Sequence, residues 1–283
     1  MGAKESAQAP GIAGAVMVLG RESPLGTEVC RVVTESGYCL APAGSRIPAL
    51  IIASELALPA GPLTSRLLRR RAARRRRQLV RAVRLARPRG AVRLVGLSSA
   101  FISGRHTDTG SDRTWLWGAP PETADALAVE AAAEAFTELG GTSVVLRLGW
   151  AYGRADRLTR QILAAGARGW QLLDGPPSAS VPMVEISDAA AAAAAALSAP
   201  AGLYYVTDGS PRTQRQLAEI IQAGLHRELH PLADARWGRG RLFGRSRPVD
   251  GSEFTAATAW QPRHPDAAER LEQLCRTPEG QPP

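Results

Sequence analysis

Lysine is almost missing from this 283-residue chain: the one lysine is Lys4. Tyrosine is missing from the whole interval between Tyr38 and Tyr152. The long middle of the chain therefore holds no tyrosine–lysine pair for acid–base work. Cysteine is confined to Cys30, Cys39 and Cys275. That odd number at wide spacings excludes a disulfide framework and a cysteine zinc site, and fits reduced cytosol. His226, His230 and His264 lack metal-ligand spacing, so they read as structural or exposed and no metal is expected. No apolar run approaches the roughly 20 residues of a membrane helix. The N-terminus has no basic stretch followed by an apolar core, so neither secretion nor a membrane partner is expected and the expected location is cytoplasmic.

What is abundant is alanine, arginine and apolar residues, with 45% apolar content and a net charge of +9. That content is ample for a globular core. Arginine in place of lysine fits the codon bias of a GC-rich genome of the actinobacterial kind, so part of the charge is genomic. Short apolar runs at Ala15–Leu19, Tyr38–Ala41, Ala49–Ala53, Val92–Leu97, Thr142–Leu148 and Leu203–Val206 read as strands. Helices are expected over 27–36, 64–86, 122–139, 155–168, from Asp188 to near Pro200, over 211–225 and over 265–275. Residues 171–187 read as irregular or β. This alternation predicts an α/β doubly wound parallel sheet with helices on both faces. Residues 1–12 and 277–283 read as disordered tails.

Six segments, in order, carry a resemblance. Gly20-Arg21-Glu22-Ser23-Pro24-Leu25-Gly26 follows the first strand and resembles a GxxGxxG turn. Leu94–Gly104 is similar to a strand ending in SSAxxYG, and Leu146–Gly153 to LRxxxxYG. Pro182–Ala190 is similar to HVDDVA, Tyr204–Gly209 to YNVGDG, and Ala259–Arg263 to LGWxPR. Together they resemble the atypical, extended short-chain dehydrogenases/reductases, which include nucleotide-sugar epimerases and dehydratases. The resemblance implies a Rossmann-like fold and an NAD(P) site at the first turn, with Gly20, Ser23 and Gly26 against the pyrophosphate. It also implies one domain over 13–276, with a substrate lobe built from about 170–200 and 230–270.

Three departures bear on function. Ser23 stands where the middle glycine belongs; its hydroxyl either bonds phosphate or caps the following helix, with Pro24 in the first helical position. The chain passes from Tyr38–Leu40 to Ala49–Ala53 without the usual helix and strand, and no acidic residue is left for a ribose hydroxyl. Arg46 is the candidate for a 2′-phosphate, so the cofactor is either NADP or none. The catalytic YxxxK is missing. An ungapped register puts Glu130 at the glutamate that usually follows, Ala126 at the lysine and Glu122 at the tyrosine; a one-turn shift supplies neither residue either. Without the pair, tyrosinate-assisted hydride transfer is lost. Ser99 matches the catalytic serine.

The leading expectation is thus a repurposed enzyme of bacterial specialised metabolism catalysing a non-redox step on a polyketide-like or other planar small molecule. Ser99 would bind an oxygen and Glu122, set in an apolar cleft or else serving the helix dipole, would move a proton. Arg105, His106, Trp115 and Trp117, in the long loop after Ser99, and Trp150 and Tyr152, just past a strand end, are candidates to shape the substrate pocket; each is also readable as packing. The alternatives are an NADP-dependent reductase with a substitute proton donor such as Tyr152, and an inactive ligand sensor or scaffold. The arginine-rich helix, Arg66 to Arg89, is readable as a solvated face, as the seat of an acidic protein partner, or as part of a homodimer. It carries no interleaved aromatics, which argues against single-stranded nucleic acid.

Overall fold

The computed structural model describes residues 14–42, 45–54, 62–102, 121–172, 175–231, 243 and 249–276. In chain order it opens with β1 (Ala15–Leu19), α1 (Pro24–Glu35), β2 (Cys39–Leu40), β3 (Ala49–Ile52), α2 (Pro62–Ala86), β4 (Arg93–Ser99), α3 (Ala124–Glu138) and β5 (Thr142–Leu148). It continues with β6 (Trp150–Tyr152), α4 (Arg157–Gly166), β7 (Trp170–Gln171), β8 (Ser180–Val181), β9 (Met183–Glu185), α5 (Ile186–Ala195) and β10 (Gly202–Val206). It closes with β11 (Arg212–Thr213), α6 (Gln214–Leu225), β12 (His230–Pro231) and two helices, Ser252–Thr258 and Ala267–Arg276.

Six strands pair in parallel in the order β10-β5-β4-β3-β1-β2. The expected Rossmann-like sheet is therefore present. Its strands are near-continuous apolar runs because helices cover both faces; Ala49, Leu50, Ile51 and Ile52 of β3 are all buried. On one face α1 and α5 pack together over Val29, Val33, Ala189, Ala192 and Ala193. Alanine suits α5 twice, being the strongest helix former and letting two helices and a sheet approach closely. On the other face α2 and α3 pack over Leu79, Val83, Val129 and Phe136. At Gly96 of β4 an added Cβ would stand 2.9 Å from Val129 Cγ1, so only glycine lets α3 lie this close.

The shortened second unit is visible in the sheet. β2 holds two exposed residues and pairs only with Ala15 and Val16, at the amino end of β1. β3 begins at that same level, with Ala49 opposite Val16. The chain thus needs only a sideways step beneath β1 to reach its other side, and β2 never climbs to the carboxyl end of the sheet.

A second core collects Phe101, Trp150, Leu158, Ile162, Leu217, Ile221 and Leu271 from β6, α4, α6 and the C-terminal helix. α4 and α6 supply this lobe, whereas α5, inside the expected lobe span 170–200, lies on the sheet beside α1. β6 and the helix Ser252–Thr258 were not expected; both are too short to show a period.

One buried ion pair ties the two strands at the centre to α3. Arg147, 5% exposed, donates from Nε to Glu130 Oε1 at 2.9 Å and from Nη2 to Oε2 at 3.1 Å. Ser98 Oγ donates to the same carboxylate at 2.7 Å, and Arg147 Nη1 donates to Tyr205 Oη on β10 at 3.2 Å. Removing one partner of such a pair strands a buried charge, at a cost of about 3 kcal/mol. Glu130→Ala should therefore lower the urea midpoint by about that equivalent. Glu130→Ala with Arg147→Met should recover most of the loss. A double variant no more stable than the single one would mean that the pair does not hold α3 in place.

Candidate functional site

The carboxyl ends of β3, β4 and β5 open into a cleft bordered by Pro24 and Leu25 at the start of α1. A parallel sheet places its ligand crevice at this end. Three serines line it, and two have spent their protons: Ser54 Oγ donates to Leu97 O at 2.6 Å and Ser98 Oγ to Glu130 at 2.7 Å. Ser99 Oγ accepts the Phe101 N–H at 3.2 Å and keeps its own proton to donate. Trp150 also lines the cleft. Its Nε1 donates to Asp156 Oδ2 at 3.1 Å, and its ring meets Phe243 edge-on with centroids 6.0 Å apart. Asp156 in turn caps α4 by accepting the Thr159 N–H at 2.7 Å. The indole is thereby fixed against Asp156, whose carboxylate also lines the cleft. Asp156 carries an N-cap signature, an acidic residue just before a helical run, which would have located it from sequence.

Glu122 is 3% exposed, in a single helical turn just before α3. Its spacing of eight from Glu130 sets Glu122, Ala126 and Glu130 on one face of the helical path, the face bonded to Ser98. That agrees with the ungapped register. Glu122 is not among the residues that line the cleft. Tyr152 is 0% exposed, beneath Trp150, and does not line the cleft either. Burial, and then the carboxylates of Asp208, Glu185 and Asp188, push its hydroxyl well above the usual tyrosine range, the opposite of what a proton shuttle needs. Arg105, His106, Trp115 and Trp117 lie outside the described residues, as does Lys4.

The cofactor-side residues divide. Gly20 takes a left-handed φ of 85°, and a Cβ there would stand 3.0 Å from Ala53 O. At Gly26 a Cβ would stand 2.0 Å from Gly20 O, so the turn and the close helix–strand contact are kept. Ser23 is the N-cap: its Oγ accepts the Gly26 N–H at 3.0 Å and donates to Gly20 O at 2.8 Å. Pro24 has no N–H. The start of α1 thus keeps few donors for a phosphate. Arg46 is a correction. It packs on Gly90, ahead of β4, where a Cβ would stand 3.0 Å from Arg46 Nε. That is the amino end of the sheet, opposite the cleft, because β2 stops short and the chain turns beneath β1. The arginine that does reach the cleft side is Arg75 of α2, unnoticed within the charge run. Its Nη2 donates to Ala53 O at 2.9 Å and its Nε faces Asp125 Oδ2 at 3.4 Å. Burial raises Asp125 above the usual carboxylate range, against the pull of Arg75 and Arg71.

No protein-family model matches the chain, and no curated protein matches it by sequence. Solved structures match over nearly its whole length. The human epimerase family protein SDR39U1 with NADPH shares 18% identity at a TM-score of 0.72, covering 93% of this chain and 100% of that one. RMD from Pseudomonas aeruginosa, complexed with NADPH, shares 15% at 0.68, covering 93% and 99%. The UDP-glucose 4-epimerase of Thermotoga maritima, with UDP-glucose, shares 15% at 0.68, covering 91% and 96%. The chain has the fold of these NAD(P)-dependent epimerase and reductase structures. Its own residues fit a complete dinucleotide poorly. The first turn remains, but among the described residues the adenosine side has no second strand at the cleft, no acidic residue there and no Arg46.

Beneath Tyr152, burial raises the Asp208 carboxyl from the usual 3.8 to about 7, although its Oδ1 accepts the Ser210 N–H at 3.0 Å. Between those two pH values the folded chain holds a proton that the unfolded chain has released, so stability falls as pH rises through the window. The effect is at most about 4 kcal/mol for a shift of this size. Asp208→Asn should therefore flatten the fall of Tm between pH 5 and 8 and stabilise the protein at the upper end. An unchanged pH profile would remove Asp208 as its source.

Proposed function

We propose that this chain is an enzyme on an epimerase/dehydratase-type fold that catalyses a non-redox step, such as isomerisation, cyclisation, dehydration or elimination. The substrate would be a planar small molecule of specialised metabolism, polyketide-like in class, held in the cleft against Trp150. One observation carries the reading: the cleft keeps a serine with a proton to donate, Ser99, while no tyrosine lines it. The four tyrosines are spent elsewhere. Tyr38 packs on the sheet core, Tyr152 is buried, Tyr204 donates to Pro200 O at 3.2 Å, and Tyr205 meets Arg147. In this reading Ser99 donates to a substrate oxygen, and Glu122, on the helix face that carries Glu130 and behind the lining residues, moves a proton through a bound water rather than by direct contact. A dinucleotide, where bound, would supply hydride chemistry; the spent cap at Ser23 and the displaced Arg46 weigh against one.

A partner for the basic helix is a separate matter. Arg70, Arg71, Arg74, Arg76, Arg77, Arg81 and Arg84 of α2 are exposed, and α2 holds no acidic residue. This charge favours an acidic partner over a second copy, which would bring like charges together.

Calorimetric titration of the purified chain with NADP, NADPH and NAD tests the reading directly. No saturable heat up to millimolar nucleotide is expected, and no nucleotide should copurify. Stoichiometric micromolar binding would overturn it in favour of a reductase. With a substrate in hand, Ser99→Ala and Glu122→Gln should each lower kcat by about 100-fold, the lower end for a lost acid–base group.

A further inference from the structure

The lobe holds a second cluster of chemistry-bearing side chains, away from the cleft lining. Glu185 ends β9 and Asp188 sits in the first turn of α5, while His264 arrives from the segment before the C-terminal helix. One ligand atom from each lies within 4.8 Å of the others. Glu185 is 3% and Asp188 1% exposed, whereas the His264 side chain is 34% exposed and leaves a way in from solvent. Sequence spacing hides this site, since 75 residues separate Asp188 from Arg263, the residue beside His264.

Capping explains part of the arrangement. Glu185 Oε2 accepts the Ser187 N–H at 2.6 Å, and the Asp188 oxygens accept the backbone N–H groups of Arg263 at 3.0 Å and His264 at 2.9 Å. Ser187 Oγ donates to the same Glu185 Oε2, and His264 Nδ1 lies 3.1 Å from Asp188 Oδ2, so the lone pairs left for a ligand are those of Glu185 Oε1 and Asp188 Oδ1. Glu185 Oε1 faces Arg270 at 3.8 Å, beyond hydrogen-bond reach. Capping does not explain Tyr152. That side chain is 0% exposed, its hydroxyl has no hydrogen-bond partner among the described residues, and its Cα pairs in register with Glu185. Asp208 Oδ2, also buried, has no partner either. Arg270 and Arg212 bring positive charge to Tyr152 and Asp208, their own Nε atoms likewise unbonded among the described residues, yet the hydroxyl and the carboxylate oxygen stay without a bond beside two further carboxylates, where a cation would complete the group. The nearby Arg212 is engaged with Asp266 at 2.7 Å.

We propose that Glu185, Asp188 and His264 bind one divalent metal ion of the class that accepts mixed imidazole and carboxylate ligands, Zn²⁺ or Mn²⁺. One nitrogen and two carboxylates suit these ions. None of the three is placed to act on a substrate through its side chain in the cleft, so the ion's role is to fasten the C-terminal segment to β9 and α5. It would bring metal-bound water within reach of the unbonded Tyr152 and Asp208 atoms.

The untagged full chain, stripped with chelator and desalted, is titrated with Zn²⁺ and with Mn²⁺ by calorimetry. One ion per chain is expected, together with a higher Tm for the loaded protein. His264→Ala and Glu185→Gln should each weaken binding by at least about tenfold, the usual loss when a metal site is disturbed. Should either variant fold poorly, His264→Asn and the Tm difference between loaded and stripped wild-type protein carry the same test. No binding to the stripped wild type, or binding that neither variant weakens, would overturn the site. The latter result would mark loose surface sites only.

Discussion

The ion pair between Glu130 and Arg147 is the constraint on which the rest of this architecture depends. It joins α3 to β5, takes in Ser98 of β4 and reaches Tyr205 of β10, so three adjacent strands and one helix share a single buried network. Such a network is costly to bury and costly to break. What it secures is rotation. With Glu130 bound to Arg147, α3 has one orientation over the sheet, and Ala126 and Glu122 follow at four-residue steps along the same face. A helix free to roll would leave open which side chains face the cleft. Here the question is closed by a pair about two turns from the helix start.

That is also why the register of α3 was legible before the fold was known, and why its consequence was not. The motif order and the apolar strand runs were enough to give the parallel sheet, because near-continuous burial leaves a simple signal. The spacing from Glu130 to Leu146–Arg147 put Glu122 on the helix face of Glu130, but not whether its carboxylate reaches the cleft. Pro42 and Gly44 just beyond β2 mark a turn, but not that the chain would step beneath β1, and the position of Arg46 depends on where that turn passes. Arg75 was hidden for a related reason: in a run of arginines only tertiary packing singles out the one that reaches Ala53 O. Trp150 and Tyr152 looked equivalent as neighbours past a strand end. Two residues along a strand share a face, yet one lies at the cleft and the other beneath it, since β6 runs down into the lobe core.

The first turn shows how a fold can keep its shape while its chemistry drifts. Gly26 is kept by contact with Gly20 O, a packing demand that operates whether or not a nucleotide is bound. Ser23 and Pro24 answer a different demand, that of ending the orphaned N–H groups of α1. A glycine at position 23 would leave those donors for an anion; a serine there uses one of them internally, and the proline abolishes another. Each change stabilises the helix and subtracts from a phosphate site. The retained glycines are thus evidence about folding, and the substituted residues are the ones that carry information about ligand.

The cleft follows the same logic from the other side. Its polar groups are mostly committed to structure: Ser54 to Leu97, Ser98 to Glu130, Asp156 to Trp150 and the start of α4. A hydroxyl already donating to a buried acceptor is held in place but cannot also protonate a substrate. Ser99 differs because its only bond among the described residues is one it accepts, from Phe101 N–H, which holds the oxygen and leaves its proton uncommitted. Commitment of the surrounding groups is what makes one weak donor selective. Among the described lining residues, a substrate oxygen entering here meets one uncommitted O–H beside an indole locked by its own N–H.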